Sequence, residues 1–329
     1  MKVFISRKIF GPIIDFLEGN GLEVIVNEHH RKLTQEELIE HCQEVNFLLN
    51  IGHIPLDGYF FERCAHLNGI ALASVGYDHV DLTQASRFNI PVSNTPEVLS
   101  KATADIAFLL MQAVARKAFY MGRLIERGGW KDFEFINNLG VELEGKTLGI
   151  YGLGRIGLEL ARKAKVAFNM NIIYHNRHVS PLAEEMVGAR YVDFEALLAE
   201  SDVLSVHTNL SPETAYRFNM DSFKKMKSSA IFINTARGKI HVEKDLYNAI
   251  LQGEIWGAGL DVTDPEPMQA TNPLLQLPTV CVLPHIGSAT IETRTKMSLM
   301  AAHNIVAASK GEPMAQVINK EVYNKSNQQ

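Results

Sequence analysis

The feature that most constrains the fold is a glycine pattern between an apolar run and a segment that suits a helix. The run Thr147–Tyr151 leads into Gly152, Gly154 and Gly157, which are spaced G-x-G-x-x-G, and "RIGLELARKAKVAF" follows. A strand, a tight turn and a helix in this order place backbone N–H groups and the positive helix end where a pyrophosphate binds. The pattern therefore predicts a dinucleotide site, although an ordinary structural strand–turn–helix would have the same spacing.

The rest of the chain alternates short apolar runs with polar segments. Runs that are apolar on both faces indicate parallel strands covered by helices on both sides. The runs are "VFIS", "EVIVN", "FLLN", "IALAS" and "PVSN", and later "TLGIYG", "NIIYHN", "DVLSVHT", "AIFINTA", "GAGLDV" and "VCVLP". A chain of 329 residues with 46% hydrophobic content suits two such domains better than one.

Apolar-rich segments between these runs predict helices. One continuous, mostly buried helix is expected from about Lys101 to Arg127, where "GGW" ends it. A shorter helix is expected from Val242 to Gln252, and the last long helix runs from about Ile291 to Lys310. With no low-complexity linker in the sequence, the two domains are expected to be joined by helices.

Composition argues against several kinds of partner and site. The net charge is −5 with Lys and Arg scattered, so no nucleic-acid partner is expected. No run approaches the roughly 20 apolar residues of a membrane span, and three separated cysteines indicate reduced thiols, so we expect a cytoplasmic protein. His29–His30 is the one adjacent pair among twelve histidines and H-E-x-x-H is absent, so no metal site is expected.

The residues that end the strand after the glycine pattern bear on the choice of cofactor. An Asp or Glu normally stands there and binds the adenosine ribose, but this strand ends in Asn176, Arg177 and His178. Asn176 carries no charge to repel a 2′-phosphate, Arg177 offers a planar set of donors, and His178 adds another. These residues favour NADP(H) as the cofactor, with NAD(H) as the alternative. The other interpretation is a solvated loop whose basic residues have no role in binding.

Three later stretches carry residues suited to acid–base chemistry. Arg237 follows one apolar strand, Asp261 ends another and precedes Glu266, and His285 follows a third. Ligands bind beyond the carboxyl ends of parallel strands, so these loops are expected to meet at one edge of the sheet. A guanidinium binds a carboxylate and polarises a carbonyl, and an imidazole held by a carboxylate transfers a proton. A surface ion pair, a solvated carboxylate and a structural histidine are the alternatives.

Taken together, these motifs resemble the D-isomer-specific 2-hydroxyacid dehydrogenases. The resemblance is carried by "ASVGYDHVD", "NTPEVLSKATADIAFLLMQAVAR", "GKTLGIYGLGRIG", "NTARGK", "AGLDV…EP" and "LPHIGSAT…TR", and it runs from about Ser74 to Asn319. "NTPEVL", the arginine at the end of the cofactor strand and "MSLMAAHNIVAASKGEP" are most similar to the glyoxylate/hydroxypyruvate reductase branch.

The resemblance implies roles for individual residues. Arg237 corresponds to the arginine that binds the substrate carboxylate, His285 to the acid/base and Glu266 to its carboxylate partner. Val75 and Gly76 correspond to the loop whose backbone meets the substrate, which Arg237 and His285 also contact. The implied cofactor contacts, besides Asn176, Arg177 and His178, are Thr103, Leu153, Gly154, Arg155, Ile156, Thr235, Ala236, Arg237, Asp261, His285, Ile286 and Gly287. Thr103 and Asp261 have capping roles as alternatives.

The resemblance also implies an architecture. A Rossmann cofactor domain, residues 101–290, is inserted into a flavodoxin-like substrate domain made of residues 1–100 and 291–329. Both are doubly wound α/β domains with parallel sheets, and homodimers form mainly through the cofactor domains.

The predicted function is the reversible NAD(P)H-dependent reduction of a small 2-oxo acid, glyoxylate or hydroxypyruvate, to the D-2-hydroxy acid. A reductase for 2-ketogluconate or a bulkier 2-oxo acid is the alternative within the same class. A nicotinamide-sensing binding protein without turnover is the alternative from another class, and the complete set of Arg237, Glu266 and His285 argues against it because a sensor needs no acid/base.

Overall fold

The computed structural model describes residues 1–28 and 31–324. The strands are β1 (Lys2–Ile5), β2 (Glu23–Val26), β3 (Phe47–Asn50), β4 (Gly69–Leu72), β5 (Val92–Ser93), β6 (Thr147–Tyr151), β7 (Asn171–His175), β8 (Arg190–Tyr191), β9 (Val203–Val206), β10 (Ile231–Asn234), β11 (Gly257–Leu260) and β12 (Val280–Val282). The α-helices are α1 (Gly11–Gly19), α2 (Gln35–Cys42), α3 (Gly58–Arg63), α4 (Leu82–Arg87), α5 (Ser100–Ala115), α6 (Ala118–Glu126), α7 (Arg155–Phe168), α8 (Pro181–Val187), α9 (Phe194–Glu200), α10 (Met220–Lys224), α11 (Glu243–Leu251), α12 (Ile291–Ser309) and α13 (Glu321–Asn324).

The chain divides into two compact units. One combines Met1–Leu99 with Thr290–Gln329, and the other is Ser100–Ala289. Each contains one all-parallel sheet, so the prediction of two doubly wound parallel-sheet domains is confirmed. No helix among the described residues is long and apolar enough to cross a membrane.

The first unit has a five-stranded sheet in the order β2-β1-β3-β4-β5, which is the flavodoxin-like order. Both faces are covered, as the apolar strands require. Helices α1 and α12 pack on one face through Leu17 and Ile305, while α2, α3 and α4 cover the other through residues such as Leu38 and Phe60. Thr290 begins α12 by accepting a hydrogen bond from the Thr293 N–H at 3.1 Å.

The second unit has a seven-stranded sheet in the order β12-β11-β10-β9-β6-β7-β8. If β6 is numbered as the first strand of this unit and the sheet is read from β8, the order is 3-2-1-4-5-6-7. This is the Rossmann order with one further strand. Helices α5 and α7 bury residues such as Leu110 and Leu160 on one face, and α9 and α11 bury Leu197 and Leu246 on the other. The strand order reverses between β6 and β9, which is where a doubly wound sheet binds its ligand.

The prediction of one helix from Lys101 to Arg127 is wrong, because the structure has two helices, α5 and α6. Lys117 separates them in the left-handed region with φ 54°. The Val141 N–H donates to the Ala115 carbonyl at 2.9 Å, and a Cβ on Gly140 would lie 2.3 Å from that same oxygen. The returning chain thus occupies the end of α5. Because this contact joins residues distant in sequence and no Gly or Pro marks the break, the local pattern could not reveal it.

Candidate active site

The glycine loop between β6 and α7 has the geometry of a phosphate cradle. Gly152 has φ +91°, and a Cβ there would lie 2.8 Å from the Thr208 nitrogen, so this turn requires glycine. A Cβ on Gly157 would lie 2.9 Å from Ile150 Cγ2, which shows how closely α7 packs on β6. At Gly154, by contrast, an added Cβ would meet nothing within 4 Å. The N-terminus of a long helix next to this open space fits a pyrophosphate.

Asn176 is held against the glycine loop. Its Oδ1 accepts a hydrogen bond from the Leu153 N–H at 2.6 Å, and its Nδ2 donates to the Leu153 carbonyl at 3.0 Å. An amide provides both an acceptor and a donor, whereas an ionised carboxylate could only accept. Asn176 therefore fixes the loop in a way that the more usual acidic residue could not.

Arg177 and His178 are both exposed at the end of β7. The loop that follows β9 carries Glu213, and the charge of Arg177 contributes to lowering the pKa of this acid, after the larger effect of a hydrogen bond from the Ser211 hydroxyl. The Ser211 Oγ donates to Glu213 Oε2 at 2.6 Å. Arg177 and His178 therefore lie in solvent just beyond the carboxyl end of β7, where an anionic group can reach them.

The loop after β10 carries Thr235, Ala236 and Arg237. Arg237 is half-buried, and its Nη1 donates to the Ala236 carbonyl at 2.7 Å. Gly238, which is buried, approaches the neighbouring loop so closely that a Cβ would lie 2.0 Å from the Thr263 carbonyl oxygen. The Arg237 loop and the loop leading from β11 to Glu266 are therefore packed backbone to backbone.

His285 and Glu266 form a hydrogen-bonded pair. The His285 Nδ1 lies 2.6 Å from Glu266 Oε1, and both side chains are partly exposed. His285 has φ +53°, a left-handed conformation that a non-glycine residue adopts at a cost. The contact leaves Nε2 on the opposite side of the ring, so Glu266 fixes the orientation of an imidazole that can exchange a proton with a ligand.

Asp261 holds the two residues that follow His285. Its Oδ1 accepts from the Ile286 N–H at 2.8 Å and its Oδ2 from the Gly287 N–H at 2.7 Å. Burial raises the pKa of Asp261, while these backbone hydrogen bonds and His285 act in the opposite direction. On the other side, Thr103 Oγ1 donates to the Gly287 carbonyl at 3.2 Å. Both predicted cofactor residues thus support the His285 loop, whatever contacts they make with a cofactor.

His207, which follows β9, is not among the residues predicted from the sequence. Its Nε2 lies 2.8 Å from Ser205 Oγ, and its Nδ1 lies 3.4 Å from Thr235 Oγ1. Burial lowers the pKa of His207 to about 3, so it is neutral at pH 7. The imidazole links β9 to the loop after β10, and the polar residues at the end of the apolar run "DVLSVHT" were the available signal.

Val75 and Gly76 lie in the first unit, after β4. The Val75 carbonyl accepts a hydrogen bond from Asn94 Nδ2 at 2.8 Å, and the Gly76 carbonyl accepts from Ser74 Oγ at the same distance. Both carbonyls are therefore held by side chains of their own unit, which fixes the conformation of the loop.

The described part of the second unit therefore has a definite chemical capacity. It combines a phosphate cradle, an imidazole held by a carboxylate, and a guanidinium on the adjacent loop. Residues 1–28 and 31–324 contain no group of three or more His, Cys, Asp or Glu side chains placed to hold a metal ion. The pair His29–His30 lies outside these residues.

Comparison with known proteins agrees with this arrangement. The sequence profile of the D-isomer specific 2-hydroxyacid dehydrogenase NAD binding domain matches residues 108–287. A glyoxylate reductase from Thermococcus litoralis is 41% identical over 336 aligned positions, which cover 99% of this chain and 98% of the relative.

Solved structures give the same result. The TT0316 protein from Thermus thermophilus superposes with a TM-score of 0.90 at 38% identity, covering 97% of this chain and 100% of that chain. An NADPH-dependent glyoxylate/hydroxypyruvate reductase from Sinorhizobium meliloti superposes with a TM-score of 0.81 at 29% identity, covering 96% of each chain. As its sequence predicted, the chain belongs to the D-isomer specific 2-hydroxyacid dehydrogenase family and is an oxidoreductase that uses a nicotinamide cofactor.

Proposed function

We propose that this protein reduces glyoxylate and hydroxypyruvate to the corresponding 2-hydroxy acids, D-glycerate in the second case, and that the reaction is reversible. The observation that carries the proposal is the His285–Glu266 pair at 2.6 Å, next to the loop that bears Arg237. An orienting carboxylate behind an imidazole is what proton transfer to a substrate oxygen requires. The names of the T. litoralis and S. meliloti relatives support this choice of substrates.

The chain's residues have complementary roles in the reaction. Arg237 binds the α-carboxylate and polarises the adjacent carbonyl, because a guanidinium pairs with both oxygens of a carboxylate. His285 gives its proton to the carbonyl oxygen, and Glu266 keeps the imidazole in position. The family resemblance also implies that the backbone at Val75 and Gly76 binds substrate. When bound, the reduced nicotinamide supplies the hydride that the carbonyl carbon receives.

Replacement of the two central residues tests this mechanism. We expect His285→Ala to lower kcat by at least about 100-fold, since positioned proton transfer contributes on that order. Arg237→Ala should both lower kcat and raise the KM for glyoxylate, because Arg237 is proposed to polarise the carbonyl and to bind the carboxylate. Oxidation of NADPH and NADH should be followed at 340 nm with a panel of 2-oxo acids that includes 2-ketogluconate and phenylpyruvate. The proposal fails if both variants turn over like the wild type, or if no 2-oxo acid is reduced.

We also propose that NADP(H) is the preferred cofactor and that NAD(H) is used less well. Asn176 leaves no carboxylate to repel a 2′-phosphate, and Arg177 and His178 are exposed beside it. Arg177→Ala should reduce kcat/KM with NADPH by roughly 10-fold or more and leave the value with NADH nearly unchanged, because a hydrogen bond to a charged group contributes about 1.5–3 kcal/mol. Arg162→Ala, an exposed arginine on α7, is the matched control. Equal losses with both cofactors would contradict the preference.

We propose that the protein is a homodimer that associates through the segment 125–139. This segment contains large apolar side chains in solvent, and Phe133 and Phe135 are each 81% exposed. Exposed apolar groups this close together are unusual for a surface that contacts only water. Light scattering should give the dimer mass for the wild type and a monomer for Phe133→Ser/Phe135→Ser; a wild-type monomer at micromolar concentration would contradict the proposal.

A cytoplasmic location is proposed on the state of the thiols. Cys42, Cys64 and Cys281 are all buried and form no disulfide. Proteins in reducing compartments keep such thiols. Titration of the unfolded protein, purified without reductant, should give three thiols per chain, and a lower number would argue against the assignment.

A further inference from the structure

Asn234, at the end of β10, is fully buried and uses its whole amide to hold the chain that follows. Its Oδ1 accepts a hydrogen bond from the Ala236 N–H at 2.9 Å. Its Nδ2 donates to the Arg237 carbonyl at 2.9 Å and lies 3.1 Å from His241 Nδ1. Both amide protons and the amide oxygen are thus engaged, and two of the three bonds go to the backbone of the residues just before and at the guanidinium.

The direction of these bonds follows from their partners. Ala236 presents an N–H and Arg237 a carbonyl, so the two ends of the Asn234 amide cannot be exchanged. The second proton of Nδ2 then points at His241 Nδ1, which must accept it. His241 is fully buried, and burial lowers its pKa to about 4, so its imidazole is neutral and able to accept at pH 7.

The other side of the same loop is fixed by backbone contact. Gly238 lies directly against the Thr263 carbonyl, with no room for a Cβ. The Arg237 Nη1 also donates to the Ala236 carbonyl, which ties the guanidinium to the residue that Asn234 holds. Asn234, at the end of β10, and Thr263, in the neighbouring loop, therefore leave the backbone at Arg237 little freedom.

We propose that Asn234 is a positioning residue that, with His241 behind it, sets the direction of the Arg237 guanidinium toward the substrate carboxylate. This inference rests on the proposed role of Arg237. Asn234 is expected to touch neither substrate nor cofactor, since its side chain is fully buried. It acts by fixing the peptide unit at Arg237, so we expect the loss of its donors to change substrate binding through Arg237.

The test is a double-mutant cycle between Asn234→Asp and Arg237→Ala. Asn234→Asp keeps the acceptor for Ala236 but removes both donors. A displacement of about 1 Å in a substrate-positioning residue lowers activity by roughly 100-fold, so we expect kcat/KM for glyoxylate to fall by about 10- to 100-fold, mainly through KM. In the Arg237→Ala background the same substitution should change kcat/KM by less than about twofold, because residues that act together are not additive. NADPH binding, measured by fluorescence, should stay close to the wild-type value.

Asn304→Asp provides a matched control for the chemical change. Asn304 is also buried, and its amide likewise makes two donor bonds, to the Met300 carbonyl and Gln316 Oε1, and accepts one, from the Gln316 N–H. This variant should show a lowered melting temperature with unchanged kinetics. If Asn234 only supports packing, Asn234→Asp should resemble this control, with a lowered melting temperature and unchanged kinetics. If Asn234 positions Arg237, Asn234→Asp should also raise KM, which Asn304→Asp does not.

The outcomes distinguish the inference from the proposed function. Wild-type KM in Asn234→Asp, or a full additional loss in the Arg237→Ala background, overturns the inference while the role of Arg237 stands. If Arg237→Ala itself binds and reduces glyoxylate normally, the proposed function of Arg237 fails first. Should Asn234→Asp not fold, His241→Phe replaces it, because that variant removes the acceptor behind Asn234. It should raise KM by about threefold to 10-fold, in line with the loss of one buried hydrogen bond, and an unchanged KM there overturns the inference.

Discussion

Gly238→Ala tests whether the close packing of two loops controls the candidate active site. The added Cβ would lie 2.0 Å from the Thr263 carbonyl oxygen, 2.2 Å from its carbon and 2.8 Å from the Asp264 nitrogen. Cβ atoms essentially never come within 3.0 Å of such atoms. One of the two loops must therefore move by about 1 Å, and neither can avoid this by a side-chain rotation because the obstacle is backbone.

Either displacement reaches a proposed catalytic group. The first loop carries Arg237, and the second leads within three residues from Thr263 to Glu266, the partner of His285. A misplacement of about 1 Å lowers activity by roughly 100-fold, and overpacking costs about 1–3 kcal/mol of folding free energy. We therefore expect kcat/KM for glyoxylate to fall by about two orders of magnitude in a protein that still folds.

Steady-state kinetics at 340 nm and thermal unfolding should be measured on the same preparations. Gly19→Ala is the matched control, since a Cβ at this position in α1 meets nothing within 4 Å. It should stabilise the protein by up to about 1 kcal/mol, the helix preference for Ala over Gly, with unchanged kinetics. A folded Gly238→Ala protein with kcat/KM within about threefold of wild type would refute the reasoning.

Three further predictions concern the His285 loop and acid stability. Asp261→Asn should destabilise the protein by about 1–3 kcal/mol in chemical denaturation, because its amide nitrogen would face the Gly287 N–H and leave it unpaired; unchanged stability would contradict the observed bonds. Glu266→Gln should lower kcat by roughly 100-fold by removing the charge behind His285, and a wild-type kcat would rule out that role. His241 has a pKa of about 4 when folded and about 6.5 when unfolded, so between these values only the unfolded chain binds the proton. His241 should therefore contribute a loss of about 1.4 kcal/mol of stability per unit as pH decreases from 6.5 to 4. Buried His207 adds a similar contribution over this range, and His241→Gln should reduce the combined slope in denaturation curves measured there.

The sequence by itself determined the class of fold and the family. Alternating apolar runs require parallel strands covered on both faces, and the spacing of Gly152, Gly154 and Gly157 predicts a tight turn suited to a phosphate at the end of β6. These properties are local, because strand burial and the steric demands of a glycine turn follow from a few neighbouring residues. The roles assigned to Arg237 and His285 remain predictions.

The tertiary structure decided which side chains work together. That Glu266 meets His285, that Asn176 holds Leu153, and that Asn234 holds the Arg237 loop depends on contacts between residues brought together by the sheet. The end of α5 was decided in the same way, by a segment that returns to this helix and whose Val141 N–H donates to the Ala115 carbonyl. Sequence patterns report the preferences of single segments, whereas hydrogen bonds and close contacts between segments exist only once the sheet has aligned their ends.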